Sequence, residues 1–119
     1  MRDYKNKYSE DRKKKDSLYK LKTSIRSLIS ISIKKGFTEK SKKTKDILGC
    51  SFEEFKIYLE EQFSEGMTWD NHGTYWHLDH KIPASWASDE EHLYELNHYT
   101  NFQPLYWLDN LIKGNRYST

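Results

Sequence analysis

The chain has 119 residues, is 35% hydrophobic and 15% aromatic, and carries a net charge of +2. That length makes one small domain and leaves no room for a second core. No apolar run approaches the roughly 18 to 20 residues of a membrane span, and the basic N-terminus lacks the apolar stretch of a secretory signal; a soluble, cytoplasmic protein without a membrane partner is therefore expected.

Four Trp, nine Tyr and five Phe supply the bulk of the core, since each ring buries a large area. Cys50 is the single cysteine, which rules out an intrachain disulfide and a Cys-rich structural zinc site. It reads as a small buried apolar residue. The charge is segregated: residues 1–45 hold 16 Lys or Arg and 5 Asp or Glu, a balance of +11, and the remainder sums to −9. A basic arm ahead of an acidic domain is the footprint of a polyanion binder, and nucleic acid suits it better than a membrane because insertion residues are missing around Lys13-Lys14-Lys15. A solvated tail is the plain alternative.

In chain order, Met1 to Lys15 shows no apolar periodicity and is expected to stay mobile without a ligand. From Asp16 the pattern changes. Leu18, Leu21, Ile25, Leu28 and Ile29 recur at helical spacing, with Asp16 or Ser17 as cap and Gly36 as stop. Lys20, Arg26 and several serines occupy the other face of that helix, and Thr38 to Lys45 follows as a polar connector. A second helix opens at Ser51, which forms a capping box with Glu54 while Cys50 staples against Phe55. Phe52, Phe55, Leu59 and Phe63 are its core face, its glutamates are solvated, and Gly66 ends it. Asp70-Asn71-His72-Gly73 is turn chemistry, with His72 a loop residue.

Trp76-His77-Leu78-Asp79-His80-Lys81-Ile82-Pro83 then alternates as a strand, Trp76 and Leu78 on one face and His77 and Asp79 on the other. Asp79 and His80 can address one group only if the backbone bends there, as Pro83 encourages. Ser88-Asp89-Glu90-Glu91 is a further capping box, starting a helix to about His98 in which Leu93 and Leu96 face the core. His92 and His98 are read as structural. Thr100-Asn101-Phe102-Gln103-Pro104-Leu105 reads as a second strand and Leu108 to Asn115 as a short helix.

Strand, connection, strand, helix, with Asp79, His80, Asn101, Asn110 and Lys113 in that order, resembles the HNH endonuclease family and its ββα-metal (His-Me finger) motif. The flanks Leu48-Gly49-Cys50, Gly66-Met67-Thr68-Trp69 and Tyr99 to Leu105 are similar to those of phage-type members. The likeness spans roughly Ile47 to Arg116, and ordered elements make it a stronger signal than bare letters. Asn110 stands where many members have His.

What the resemblance implies is an α+β fold, a small mainly helical domain around a ββα-metal motif; taken with the charge segregation, residues 1–45 are a basic arm and helix and 46–119 the nuclease unit. It implies hydrolysis of DNA phosphodiesters, most naturally in duplex DNA, by a monomer or weak homodimer. His80 is the expected general base, since an imidazole mostly neutral at cellular pH accepts a proton from water. Asp79 and Asn110 are the expected ligands of one divalent cation, and their hard oxygens favour Mg²⁺ or Mn²⁺ over Zn²⁺. Asn101 is expected to fix the loop carrying His80. Lys113, Arg116, Lys81, His77 and the Lys13-Lys14-Lys15 run are the candidate DNA contacts, His77 because it shares the face of Asp79. A catalytically inactive DNA-binding or phage-assembly module on the same fold is the competing expectation, and a non-nuclease zinc scaffold is disfavoured by the single cysteine.

Overall fold

A computed structural model describes residues 2–36 and 43–114, with side chains for 15–34 and 43–114. It is a small, mainly helical α+β domain in which a two-stranded antiparallel hairpin is followed by a helix. Helix α1 (Arg2–Gly36) comes first, then α2 (Thr44–Leu48), α3 (Phe52–Glu60), strand β1 (Trp76–His80), α4 (Glu90–Leu96), β2 (Phe102–Tyr106) and α5 (Trp107–Lys113), with 3-10 turns at Trp69–Asn71, Ala84–Trp86 and Tyr99–Asn101.

Helix α1 does not begin at Asp16 as the apolar pattern suggested. It runs from Arg2, so the stretch expected to be mobile is helical. Lys, Arg and Glu are good helix formers without any apolar stripe, and a helix anchored by its C-terminal half extends through such residues at little cost. The stripe decides packing: Leu21, Ile25, Ile29 and Ile33 are fully buried, in one cluster with Ile47, Leu48, Phe55, Leu59, Leu93 and Phe102. The helix of residues 1–45 and the unit after it therefore share a core.

The short α2 had no periodicity to betray it, yet Ile47 and Leu48 are buried. It stops at Gly49, whose φ of +82° suits glycine and whose Cβ, were there one, would sit 2.5 Å from His98 Nε2. Ser51 caps α3 by accepting from Glu54 N–H at 3.1 Å, while its hydroxyl donates to the Glu54 carboxylate at 3.0 Å. That helix closes at Glu60, well before Gly66. Phe63 thus lies outside it but keeps its packing role, with ring centroids 5.1 Å from both Trp69 and Trp76. In α4 the cap is Asp89, not Ser88, and the helix ends at Leu96 with Asn97 as its C-cap.

The strand register pairs Trp76 with Tyr106, Leu78 with Pro104, Asp79 with Gln103 and His80 with Phe102. Pro104 is tolerated because each strand of a two-stranded sheet has a free edge. No loop separates β2 from α5. Trp107 N–H donates to Tyr75 O at 2.9 Å, so the helix turns back over β1 as soon as the strand ends. No described helix is long and apolar enough to cross a membrane.

Candidate active site

Cross-strand pairing decides the surroundings of Asp79. Its direct partner, Gln103, donates from Nε2 to Asp79 Oδ2 at 2.8 Å. From α5, Lys113 Nζ lies 3.2 Å from the other oxygen, Oδ1, and donates to His80 O at 2.8 Å. The Asp79 and Lys113 side chains are each only 8% exposed. Lys113, a candidate DNA contact from the sequence, turns inward here, its ammonium shared between Asp79 Oδ1 and the His80 carbonyl.

His80, one residue on, sits across from Phe102, the ring centroids 4.6 Å apart. Its Nε2 is 2.8 Å from Asn97 Oδ1. Burial pushes the imidazole below its usual pKa, with Lys113 acting in the same direction and the Asn97 hydrogen bond and the Asp79 charge opposing. The ring is thus held neutral, the form that accepts a proton.

Just after it the chain bends, and Asn101 holds the bend. Its Oδ1 accepts from Ile82 N–H at 3.0 Å, its Nδ2 donates to Ile82 O at 3.0 Å and to Leu96 O at 2.7 Å, and its own carbonyl accepts from Lys81 N–H at 2.7 Å. One buried carboxamide thereby ties the end of β1 to the end of α4.

Asp79, His80, Asn110 and Lys113 line a single cleft of roughly 740 Å³, whose other walls are α1 at Leu28, Ile31 and Ser32 and the Pro83–Ser88 segment. Asp79 and Asn110 are 31 positions apart in sequence, and α5 brings them together by folding back over β1. Among the described residues no group of three or more His, Cys, Asp or Glu side chains is placed to hold a metal. Among the described residues the cleft offers oxygen from the Asp79 carboxylate, the Asn110 carboxamide and the hydroxyls of Ser32, Ser85 and Ser88. That set fits a hard cation that keeps most of its water, and the Lys113 ammonium on Asp79 marks the spot as one that takes positive charge.

His77 and Lys81 are not part of this cleft. The Lys81 ammonium points to Tyr58 OH, at 3.5 Å. Lys15 is exposed on α1, while Arg116 and the side chains of Lys13 and Lys14 lie outside the described residues. His92 and His98 serve local structure: His92 Nδ1 accepts from Ser88 N–H at 3.0 Å, and His98 Nδ1 is 2.9 Å from Thr100 Oγ1. His72 proves to be more than a loop residue, being buried and stacked on Trp76 with centroids 4.3 Å apart. Burial, seconded by Lys20 and His77, lowers its pKa to about 4. Burial, seconded by Glu54, pushes the Cys50 thiol up to about 11, which leaves it unreactive.

Three residues of the site escaped the sequence reading. Gln103 was legible in principle, as the residue facing Asp79 once His80 is paired with Phe102. Asn97 and Ser32 gave no signal, one lost at a helix end and the other among the serines of α1.

No protein-family model matches the chain, and no solved structure matches it. Two curated relatives are similar to it, both from Acanthamoeba polyphaga mimivirus. "Uncharacterized protein L426" is 36% identical over 118 residues, covering 98% of this chain and 48% of the relative. "Uncharacterized protein L246" is 36% identical over 96 residues, covering 79% and 41%. The chain spans about half the length of the curated relatives it matches.

Proposed function

We propose that this chain is a metal-dependent endonuclease of the HNH type, hydrolysing DNA phosphodiester bonds with His80 as general base. The observation that carries the reading is the convergence of Asp79 and His80 from β1 with Asn110 from α5 on one cleft, in a β-β-α arrangement whose connecting bend is tied by Asn101. Asp79 and Asn110 would hold one Mg²⁺ or Mn²⁺, which when bound stabilises negative charge on the phosphate and the departing oxygen. The chain's own residues do the rest. His80, neutral and half-buried, takes the proton from the attacking water; Asn101 keeps its backbone in place; Gln103 orients the Asp79 carboxylate. Cations of α1 supply affinity that an acidic catalytic unit lacks. The viral relatives fit a role in the cytoplasm of an infected host cell.

One observation favours a second reading. Lys113 already neutralises Asp79, as it would in a DNA-binding module that kept the fold and lost its metal. Incubation with plasmid DNA and Mg²⁺ or Mn²⁺, with a chelator control and mapped ends, separates the two. Metal-dependent nicks or breaks that vanish in His80→Ala support the endonuclease; DNA binding without any cleavage supports the module.

A further inference from the structure

Asn97 follows α4 and belongs to no recognisable motif, yet it is 0% exposed and every polar atom of its side chain is engaged. Its Nδ2 donates to Leu93 O at 3.0 Å and to Ser32 Oγ at 3.1 Å. Ser32 is in turn fixed on α1, donating to Ile29 O at 2.9 Å. These bonds settle which way round the carboxamide lies, because a reversed amide would put its oxygen against the Leu93 carbonyl oxygen. The oxygen Oδ1 therefore faces His80, 2.8 Å from Nε2. An amide oxygen can only accept, so the neutral ring carries its proton on Nε2.

We infer that Asn97 is a positioning residue: its carboxamide, anchored by Leu93 and by Ser32 of α1, holds the His80 ring with the proton on Nε2 and leaves Nδ1 as the basic nitrogen. The inference deepens the endonuclease reading and rests on it for its catalytic meaning. Nδ1 has no hydrogen-bond partner among the described residues, and His80 lines the cleft. A neutral acceptor suits this task. It fixes the tautomer and the ring plane without adding the negative charge that a carboxylate in its place would bring. Because the anchor passes through Ser32, the seating of the basic helix α1 and the orientation of the base are mechanically linked.

The test is the ring itself. In full-length ¹⁵N-labelled protein, long-range proton–nitrogen spectra under mildly alkaline conditions report which His80 nitrogen carries the proton. The expectation is a bias of about tenfold toward Nε2–H, with that proton slow to exchange with water. Asn97→Leu should lose the slow exchange and lower kcat for DNA cleavage about 10- to 100-fold with KM little changed. Asn97→Asp, which keeps an acceptor, should restore the Nε2–H tautomer. Should Asn97→Leu fail to fold, Ser32→Ala gives the milder version, with faster exchange of the Nε2 proton. A wild-type ring protonated on Nδ1, or an Nε2 proton unaffected by both Asn97→Leu and Ser32→Ala, overturns the inference. The spectra need no turnover, so an Nε2–H ring in a protein that never cleaves DNA supports the positioning of His80 and overturns the endonuclease reading alone.

Discussion

Lys113 Nζ rests 3.2 Å from Asp79 Oδ1, two largely buried side chains of opposite charge brought together by the return of α5 over β1. A lysine and a divalent cation cannot both occupy that oxygen at full strength, so each should weaken the other. Removing one partner of a buried pair typically costs about 3 to 5 kcal/mol. Gln103 still serves Asp79 Oδ2, which puts the expected loss for Lys113→Met near the lower end. Mn²⁺ should then take over the role of the ammonium, because a ligand that binds only the folded state adds stability as its concentration exceeds Kd. The rise in Tm on adding Mn²⁺ should be larger in Lys113→Met than in wild type. Equal rises in the two proteins would show that Lys113 does not compete at Asp79.

The roles of Asp79 and His80 separate in the same kind of experiment. His80→Ala removes the proposed base but neither proposed ligand, so cleavage should fall by about 10² to 10⁴ while Mn²⁺ affinity by calorimetry stays within a few-fold. Asp79→Ala removes the one charged oxygen donor of the cleft among the described residues, and both quantities should fall. Near-normal turnover by His80→Ala at neutral pH would remove His80 from the base assignment.

The parts of this site that were legible in the sequence are those fixed by local pattern. Trp76 to His80 forms a strand, Ser51 and Glu54 a capping box, and Leu21, Ile25 and Ile29 one buried helix face, as their local patterns predicted. Helix ends were less legible. Arg2 to Lys15 has helical propensity but no stripe, so periodicity overlooked it, and Phe63 packs like a helix residue from outside the helix. Of the long-range polar contacts, the hold of Asn101 on the bend after His80 was expected from the resemblance and the facing of Gln103 to Asp79 followed from register, but the rest were not legible. The inward turn of Lys113 and the grip of Asn97 on His80 depend on how α5 and α4 pack, and no spacing rule along the chain encodes either contact.

His72 gives a pH dependence whose sign can be worked out. Its folded pKa is lowered from 6.5 to about 4, so its contribution to stability is fully present above 6.5 and is lost as pH falls through that window. The size is about 3 kcal/mol, taking 1.36 kcal/mol per pKa unit. His72 Nδ1 is buried without a hydrogen-bond partner among the described residues, so a ring without that nitrogen forfeits nothing at this atom. His72→Phe should preserve the stacking on Trp76, stay within about 1 kcal/mol of wild type at neutral pH, and show a markedly flatter decline in urea stability between pH 7 and pH 4. Parallel declines in the two proteins would mean that His72 is not the titrating group.

Asn110 offers the cleft a neutral amide oxygen, and the choice of metal should follow from it. Chelator-stripped protein is expected to regain activity with Mg²⁺ or Mn²⁺ and to gain little from Zn²⁺. Asn110→His exchanges oxygen for an imidazole nitrogen, which should move the profile toward Ni²⁺ or Co²⁺. An unchanged profile would count against Asn110 as a direct ligand.

The charge on α1 is the last point open to measurement. Residues 46–119 sum to −9, so duplex DNA should be repelled at long range unless the +11 of residues 1–45 compensates. Leu21, Ile25, Ile29 and Ile33 must stay, since they are core, and so must Lys20, which donates to the His72 carbonyl, and Lys22 and Arg26, which lie over the Phe52 ring. That leaves residues 1–14 for truncation and the exposed Lys15, Lys34, Lys43 and Lys45 for replacement by Gln. If about five of these cations meet phosphates, removing them should flatten log K against log salt by about 4 to 5 units, because each contact releases close to one counterion. Truncation alone should give part of the change. The affinity is best measured on His80→Ala in Ca²⁺, where binding can be followed without strand loss. A slope unchanged within error would make α1 a core helix with a solvated basic face, and DNA contacts would then have to come from α5 and its flanks.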